Sequence, residues 1–160
     1  MLMVADGPSL RVAKREDYAA LGAVMFEAVR GGESPYSEAQ RAAWVPTLRG
    51  DSEWDARLAD QHVVLAEGRD HAILGFMSLA PGGYIDFAFI RPEMRGTGLF
   101  RRLYDAIEVR ANAQAVARLW VHASLMAEPA FAALGFTVVR RERIAMRDQH
   151  LDRCEMELPL

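Results

Sequence analysis

The sequence predicts a mixed α+β domain around a largely antiparallel sheet, on three observations. Apolar residues run through three consecutive short segments, 62–67, 72–79 and 84–90, with turn residues between them. Apolar residues recur with helical spacing on either side of that region, at 17–29 and at 99–111. A glycine-rich turn, Arg95-Gly96-Thr97-Gly98, joins the last of the three segments directly to the second helix. A meander with helices before and after it can bury its apolar faces only by packing helices on the sheet.

The bulk numbers set limits on this fold. A chain of 160 residues with 51% hydrophobic and 26% charged residues reads as one globular domain, residues 1–160, with a sizeable core. A net charge of −3 argues against a dedicated nucleic-acid binder. Cys154 is the only cysteine, which excludes an internal disulfide and a cysteine-based zinc site; no metal is expected, and a reducing, cytoplasmic setting fits. Residues 1–5 are too short and lack the basic start of a secretory signal. No apolar run is long enough to span a bilayer, so no membrane partner is expected.

Residues 10–13 read as a first short strand. Asp17 then caps a helix with Tyr18, Leu21, Val24, Met25 and Ala28 on one repeating face. The run Gly31-Gly32-Glu33-Ser34-Pro35 breaks it. Ser37 caps a second helical stretch through Trp44, ended by Pro46, and residues 52–60 add a further turn or two. Gly68-Arg69-Asp70 and Pro81-Gly82-Gly83 are the turns of the meander. In its last strand, strict alternation puts Tyr84, Asp86, Ala88 and Ile90 on one face and Ile85, Phe87 and Phe89 on the other. The helix after the glycines carries Phe100, Leu103, Ile107 and Ala111 as a core-facing stripe. Residues 118–123 alternate as a strand, 127–134 form a short helix, and Gly135 is its C-terminal cap. A strand begins at 136–139, and segments 144–146 and 154–158 form a closing antiparallel pair.

The glycine loop carries the chemistry. A strand turning through glycines into a helix presents free backbone N–H groups and the positive end of the helix dipole, which favour a phosphate-bearing ligand. A nucleotide P-loop would need Lys followed by Ser or Thr at the helix start, and neither is present. A dinucleotide fingerprint would need a third glycine where Arg101 and Arg102 stand. The segment Arg95-Gly96-Thr97-Gly98-Leu99-Phe100 instead resembles the coenzyme A loop of the GNAT N-acetyltransferases, pattern Arg/Gln-x-x-Gly-x-Gly/Ala. Phe100 is its one departure from the usual small residue. The stretch from Ala123 to Phe136, closing on Leu134-Gly135-Phe136, resembles the second signature of that family.

The resemblance implies the GNAT acyl-CoA N-acyltransferase fold and acetyl-CoA as cosubstrate. It places the pyrophosphate on the amides of Arg95, Gly96, Thr97, Gly98, Leu99 and Phe100, with the Arg95 charge beside it. It also implies that the pantetheine arm runs along Ala88, Phe89 and Ile90, between the strands ending at Ile90 and Ala123, which splay apart in this family, with Ser124 bonding the arm. The acceptor is a small-molecule or peptide amine that attacks without an acyl-enzyme, and dimers are common in the family. An alkyl amine has a pKa of about 10, so roughly one in a thousand is neutral at pH 7 and a base is valuable. Asp86 is the candidate base, by its placement on the strand entering the loop; His122 and Tyr84 are alternatives. Many members carry a Tyr four residues before the Gly of Leu-Gly-Phe as general acid. Phe131 stands there, leaving Ser124 or a water to assist the leaving thiolate. Met25, Phe26, Arg30, Tyr36, Trp44 and Trp54 are candidates for the acceptor pocket. The rival readings are a low-turnover acyl-CoA sensor or interaction module, and a nucleotide-binding protein using the same loop.

Overall fold

A computed structural model describes residues 7–160; the expectation for residues 1–5 lies outside the described residues. In chain order the elements are β1 (Ser9–Val12), α1 (Tyr18–Arg30), α2 (Glu38–Trp44), α3 (Ser52–Ala59), β2 (His62–Glu67), β3 (Ile73–Ala80), β4 (Tyr84–Ile90), α4 (Leu99–Ala113), β5 (Arg118–Ser124), α5 (Glu128–Ala133), β6 (Thr137–Met146) and β7 (Gln149–Pro159). All seven strands form one sheet in the order β1-β2-β3-β4-β5-β7-β6. Every neighbouring pair is antiparallel except β4 and β5. That parallel pair requires a crossover, and α4 supplies it.

The sheet is packed on both faces. On one face α4 contributes Leu99, Leu103, Tyr104, Ile107 and Ala111, and α5 contributes Phe131, to a core with Met77, Ile85, Leu119 and Val121. On the other, Leu21, Val24 and Met25 of α1 and Trp54 and Leu58 of α3 cover Leu65, Phe76 and Phe87. The helix ends are tied as their sequence dictates. The Ser37 hydroxyl accepts from the Gln40 N–H, and the Gln40 side chain accepts from the Ser37 N–H, closing a capping box on α2. The Arg41 guanidinium donates to the carbonyls of Val29, Gly31 and Gly32 at the C-terminal end of α1, where a cation also meets the negative end of the dipole.

Three expectations are corrected. The segment between β1 and β2 holds three helices, because 52–59 forms a full element with buried Trp54 and Leu58. The C-terminal pieces at 136–139, 144–146 and 154–158 merge into two long strands, and β7 inserts between β5 and β6. The first seven residues of β6 alternate poorly because it is an edge strand, largely exposed on both faces.

The third correction positions the site. Ile85 pairs with Leu79 and Ala88 with Met77, so Asp86 and Phe87 together stand opposite the single residue Ser78. This is a β-bulge, and the buried Ser78 hydroxyl stabilises it by accepting the Phe87 N–H at 3.0 Å. The extra residue shifts the phase of the strand. Ile85, Ala88 and Ile90 pack on the α4 side, while Phe87 and Phe89 pack on the α1 side. Asp86 therefore shares its face with Phe87, and Ile85 lies opposite Phe87, contrary to strict alternation.

Candidate active site

The bulge opens the sheet. β4 and β5 pair only at Tyr84 with Trp120 and at Ile85 with Val121, and beyond those two positions they separate. The Phe87 N–H faces β3 through Ser78, and the Arg91 N–H faces it by donating to the Leu74 carbonyl at 2.9 Å. Alternation along the strand then aims the amides of Ala88 and Ile90 at the gap on the β5 side. Beside that gap lies a cleft of about 330 Å³, lined by Ala88, Phe89, Ile90, Gly96, Phe100 and Ser124 among others.

At the mouth of the cleft is the glycine loop. Gly96 and Gly98 adopt φ of +76° and +87°, and no atom lies within 4 Å of where a Cβ would project from either. This backbone favours glycine and leaves open space above it. Among the described residues the amides of Gly96, Gly98, Leu99, Phe100 and Arg101 have no hydrogen-bond partner, since the first intrahelical bond of α4 comes from the Arg102 N–H to Gly98. The amides of Arg95 and Thr97 are already engaged, with the Pro92 and Met94 carbonyls at 3.2 and 3.3 Å. The Arg95 guanidinium turns to α1 and donates to the carbonyls of Ala28 (3.1 Å) and Glu33 (3.0 Å). Its charge stands near the loop, but two of its nitrogens brace the loop against α1.

The far wall of the cleft comes from Tyr36. This buried phenol accepts from the Leu125 N–H at 2.9 Å and donates to the Asp152 carbonyl at 2.5 Å. Burial pushes its pKa up. Ser124 Oγ accepts from the Ala127 N–H at 3.1 Å and retains its proton for a second bond. Phe131 is fully buried, edge-on to Phe100 at 5.2 Å between ring centres, so no phenol occupies its position.

A second cavity, of about 690 Å³, opens on the α1 side and shares Trp44 and Phe89 with the first. Its floor is Tyr84, Asp86 and His122. Asp86 is not a free carboxylate. Arg57 grips it in bidentate fashion at 2.8 and 2.5 Å, and Gln61 Nε2 donates to it at 2.6 Å. The Tyr84 hydroxyl lies 3.0 Å from His122 Nδ1. Burial and the nearby Arg153 cation hold the His122 pKa below its ordinary value, so the imidazole is neutral at pH 7. A small cavity lined by His122, Ser124, Tyr36 and Arg153 leads from this floor toward the cleft.

Of the residues expected at an acceptor pocket, Met25 and Trp44 line the second cavity, and Tyr36 lines the cleft. Trp54 is core, its indole N–H donating to the Tyr18 carbonyl at 2.8 Å. Arg30 donates to the Val45 and Pro46 carbonyls and lies over the Phe26 ring. Sequence reasoning missed Arg57, Arg147 and Arg153, which reach the second cavity from three separate elements and carry no local signature.

A splayed parallel pair opening beside a loop of unpaired amides is the architecture of an acetyl-group transferase. The model described as the acetyltransferase (GNAT) domain matches residues 33–159, and the chain belongs to this family, for which acetyl-CoA is the cosubstrate. The uncharacterized N-acetyltransferase YafP of Escherichia coli (strain K12) is 30% identical over 132 residues, 82% of each chain. A GCN5-related N-acetyltransferase from Rhodopseudomonas palustris superposes with a TM-score of 0.89 at 28% identity over 100% of both chains. A phosphinothricin acetyltransferase from Sinorhizobium meliloti, solved in complex with acetyl-CoA, superposes with a TM-score of 0.73 at 20% identity, covering 96% of this chain and 89% of that one. Among the described residues no helix is long and apolar enough to cross a membrane.

Proposed function

We propose that the protein moves the acetyl group of acetyl-CoA to the amine of a small-molecule or peptide acceptor by direct attack, with residues 1–160 acting as one domain. The observation that carries this reading is the continuous path from the open amides at Gly96 and Gly98, past the Ala88 and Ile90 amides, to the neutral His122. Acetyl-CoA supplies an acetyl group activated as a thioester. The amides of Gly96, Gly98, Leu99 and Phe100 hold the diphosphate, and Arg95 and Thr97 keep the loop in shape for it. The amides of Ala88 and Ile90, flanking Phe89, bond the pantetheine arm, and one of them polarises the thioester carbonyl. The ammonium group of the bound acceptor gives one proton to His122, which passes it to solvent, and the free amine attacks the thioester carbonyl; the second proton leaves the nitrogen as the intermediate collapses and ends on the departing thiolate. With the proton on Nδ1 shared with the Tyr84 oxygen, Nε2 remains an acceptor. Asp86 draws the ammonium form into the cavity and locks Arg57. The Ser124 hydroxyl directs a hydrogen bond toward the leaving sulfur and keeps its proton. A thiol has a pKa of about 8.5, so its anion leaves with modest help and the Phe131 position needs no phenol.

Phe131 is also the observation that favours a second reading, a low-turnover acyl-CoA-binding sensor or interaction module. A cytoplasmic setting without nucleic-acid or membrane partners belongs to the first reading and draws on the net charge of −3 and the lone buried Cys154. A homodimer enters through the family resemblance alone.

Incubation of acetyl-CoA with a pooled amine library, read by mass spectrometry and thiol release, is expected to yield N-acetyl products. Coenzyme binding without products across a broad pool would favour the sensor. Gly98→Glu is expected to weaken coenzyme binding by about a hundredfold, about 2.7 kcal/mol, by adding a side chain at positive φ and a carboxylate against the diphosphate. Retained affinity would move the binding site elsewhere.

A further inference from the structure

The second cavity is lined by Arg49, Arg57, Arg147 and Arg153 against Asp51, Glu53 and Asp86. Three of the four guanidinium groups are matched. Arg49 pairs with Asp51 at 3.2 Å, Arg57 with Asp86 at 2.5 Å, and Arg153 with Glu142 at 2.5 Å. Among the described residues no carboxylate lies within ion-pair distance of Arg147, whose Nη1 donates to the Ala43 carbonyl of α2 and leaves its other N–H groups unassigned. Among the described residues, the lining carboxylate without a cation in ion-pair distance is Glu53, at the start of α3.

The backbone at Arg147 points the same way. Met146 pairs with Gln149, so Arg147 and Asp148 form a two-residue turn between β6 and β7. Arg147 takes φ +53°, a conformation that glycine adopts freely and a side chain does not. A turn built for its own sake would carry Gly or Asn there. Instead the position carries a long cation that folds back over the cavity and against α2. Met25, Trp44, Phe87, Phe89 and Met146 add apolar surface to the lining.

We infer that the acceptor is a small amino carboxylate with an apolar side chain, of the α-amino acid type, whose carboxylate is held by Arg147 while its amine lies toward Asp86 and His122. The inference rests on the acetyltransfer reading and adds the acceptor's charge. A simple cationic amine would use the carboxylates of Asp51, Glu53 and Asp86 and make no use of the exposed Arg147 guanidinium. An amino carboxylate matches both signs, and guanidinium and carboxylate pair in a planar fork.

The test compares L-leucine, L-methionine and L-phenylalanine with their C-terminal amides, by thiol release from acetyl-CoA and mass spectrometry of the N-acetyl products. The amide's amine is the less basic of each pair and hence more often neutral at pH 7, so basicity alone favours the amide. The free acids are expected to react with at least about tenfold higher kcat/KM, and Arg147→Gln to bring the acid-to-amide ratio close to one. In parallel, N-acetyl-L-phenylalanine and its amide are titrated into protein saturated with coenzyme A, which reads the same preference without turnover and is expected to give about a tenfold tighter acid. Equal use of acid and amide, or a ratio that survives in Arg147→Gln, overturns the inference and leaves the acetyltransfer reading intact. Turnover of neither, with equal binding of both N-acetyl compounds, also overturns it, and the pooled library then decides the acetyltransfer reading separately. A ratio retained in Arg147→Lys but lost in Arg147→Gln would assign the effect to charge rather than to the tether on Ala43.

Discussion

His122 is half-buried at the junction of the two cavities, its Nδ1 fixed by Tyr84 and its charge opposed by Arg153. A base must be unprotonated to act. Because the folded-state pKa lies below the ordinary value of about 6.5, activity should be flat through neutral pH and fall only as pH drops below that value. His122→Gln is expected to lower kcat by about 10²–10⁴-fold and to abolish this acid limb, with coenzyme affinity unchanged. A variant that keeps the acid limb would assign the proton transfer to another group. Asp86 was legible as a carboxylate on the strand entering the loop, but its engagement was not. Arg57 and Gln61 lie far from it in sequence, and nothing local marks either as a partner. Cys154, the only cysteine in the sequence, is fully buried. Its thiol is pushed up to about 11 by burial and the neighbouring Glu128, which leaves it no role as a nucleophile.

At the scale of elements, one phenol ties the connection between α1 and α2 to the C-terminal half of the sheet. Tyr36 spans from that connection to the end of β5 and to β7, satisfying the Leu125 N–H and the Asp152 carbonyl together. Tyr36→Phe leaves a half-buried donor and an acceptor without partners. A loss of about 1–3 kcal/mol is expected in urea denaturation, accompanied by weaker coenzyme binding as the cleft wall loosens. A variant of unchanged stability would mean that water replaces the phenol. The meander and α4 were readable because apolar period and turn residues agree there. The hairpin of β6 and β7 was read in fragments because most of β6 has no buried face, so no period marks it. Phe100 fell on the predicted core stripe of α4 but lines the cleft, and Tyr104 takes the buried position.

At the scale of the whole fold, the described residues form a sheet packed on both faces that opens between β4 and β5, and that opening was the least legible feature. Composition and periodicity announce strands and helices. They do not announce that β7 lies beside β5, or that two residues of β4 oppose one of β3. Both are choices of long-range register, decided by which faces must be buried. The family signatures pointed to the same region because the glycine loop is local, whereas the acceptor side is assembled from α1, α2 and the loop after it, α3, β4, β5, and β6 and β7 with the turn between them.

Deleting Asp86 would leave Tyr84-Ile85-Phe87-Ala88-Phe89-Ile90, a perfect alternation in which every remaining side chain keeps the face it already occupies. Such a strand has no reason to bend, and it should zip onto its parallel neighbour along its full length. The deletion is expected to melt at or above the temperature of the parent and to bind no coenzyme A, as calorimetry would read. Binding that survives would trace the opening to some other cause. On this view the working enzyme is the less regular of two closely related sheets, and its capacity to act comes from one surplus residue that a purely structural protein would discard.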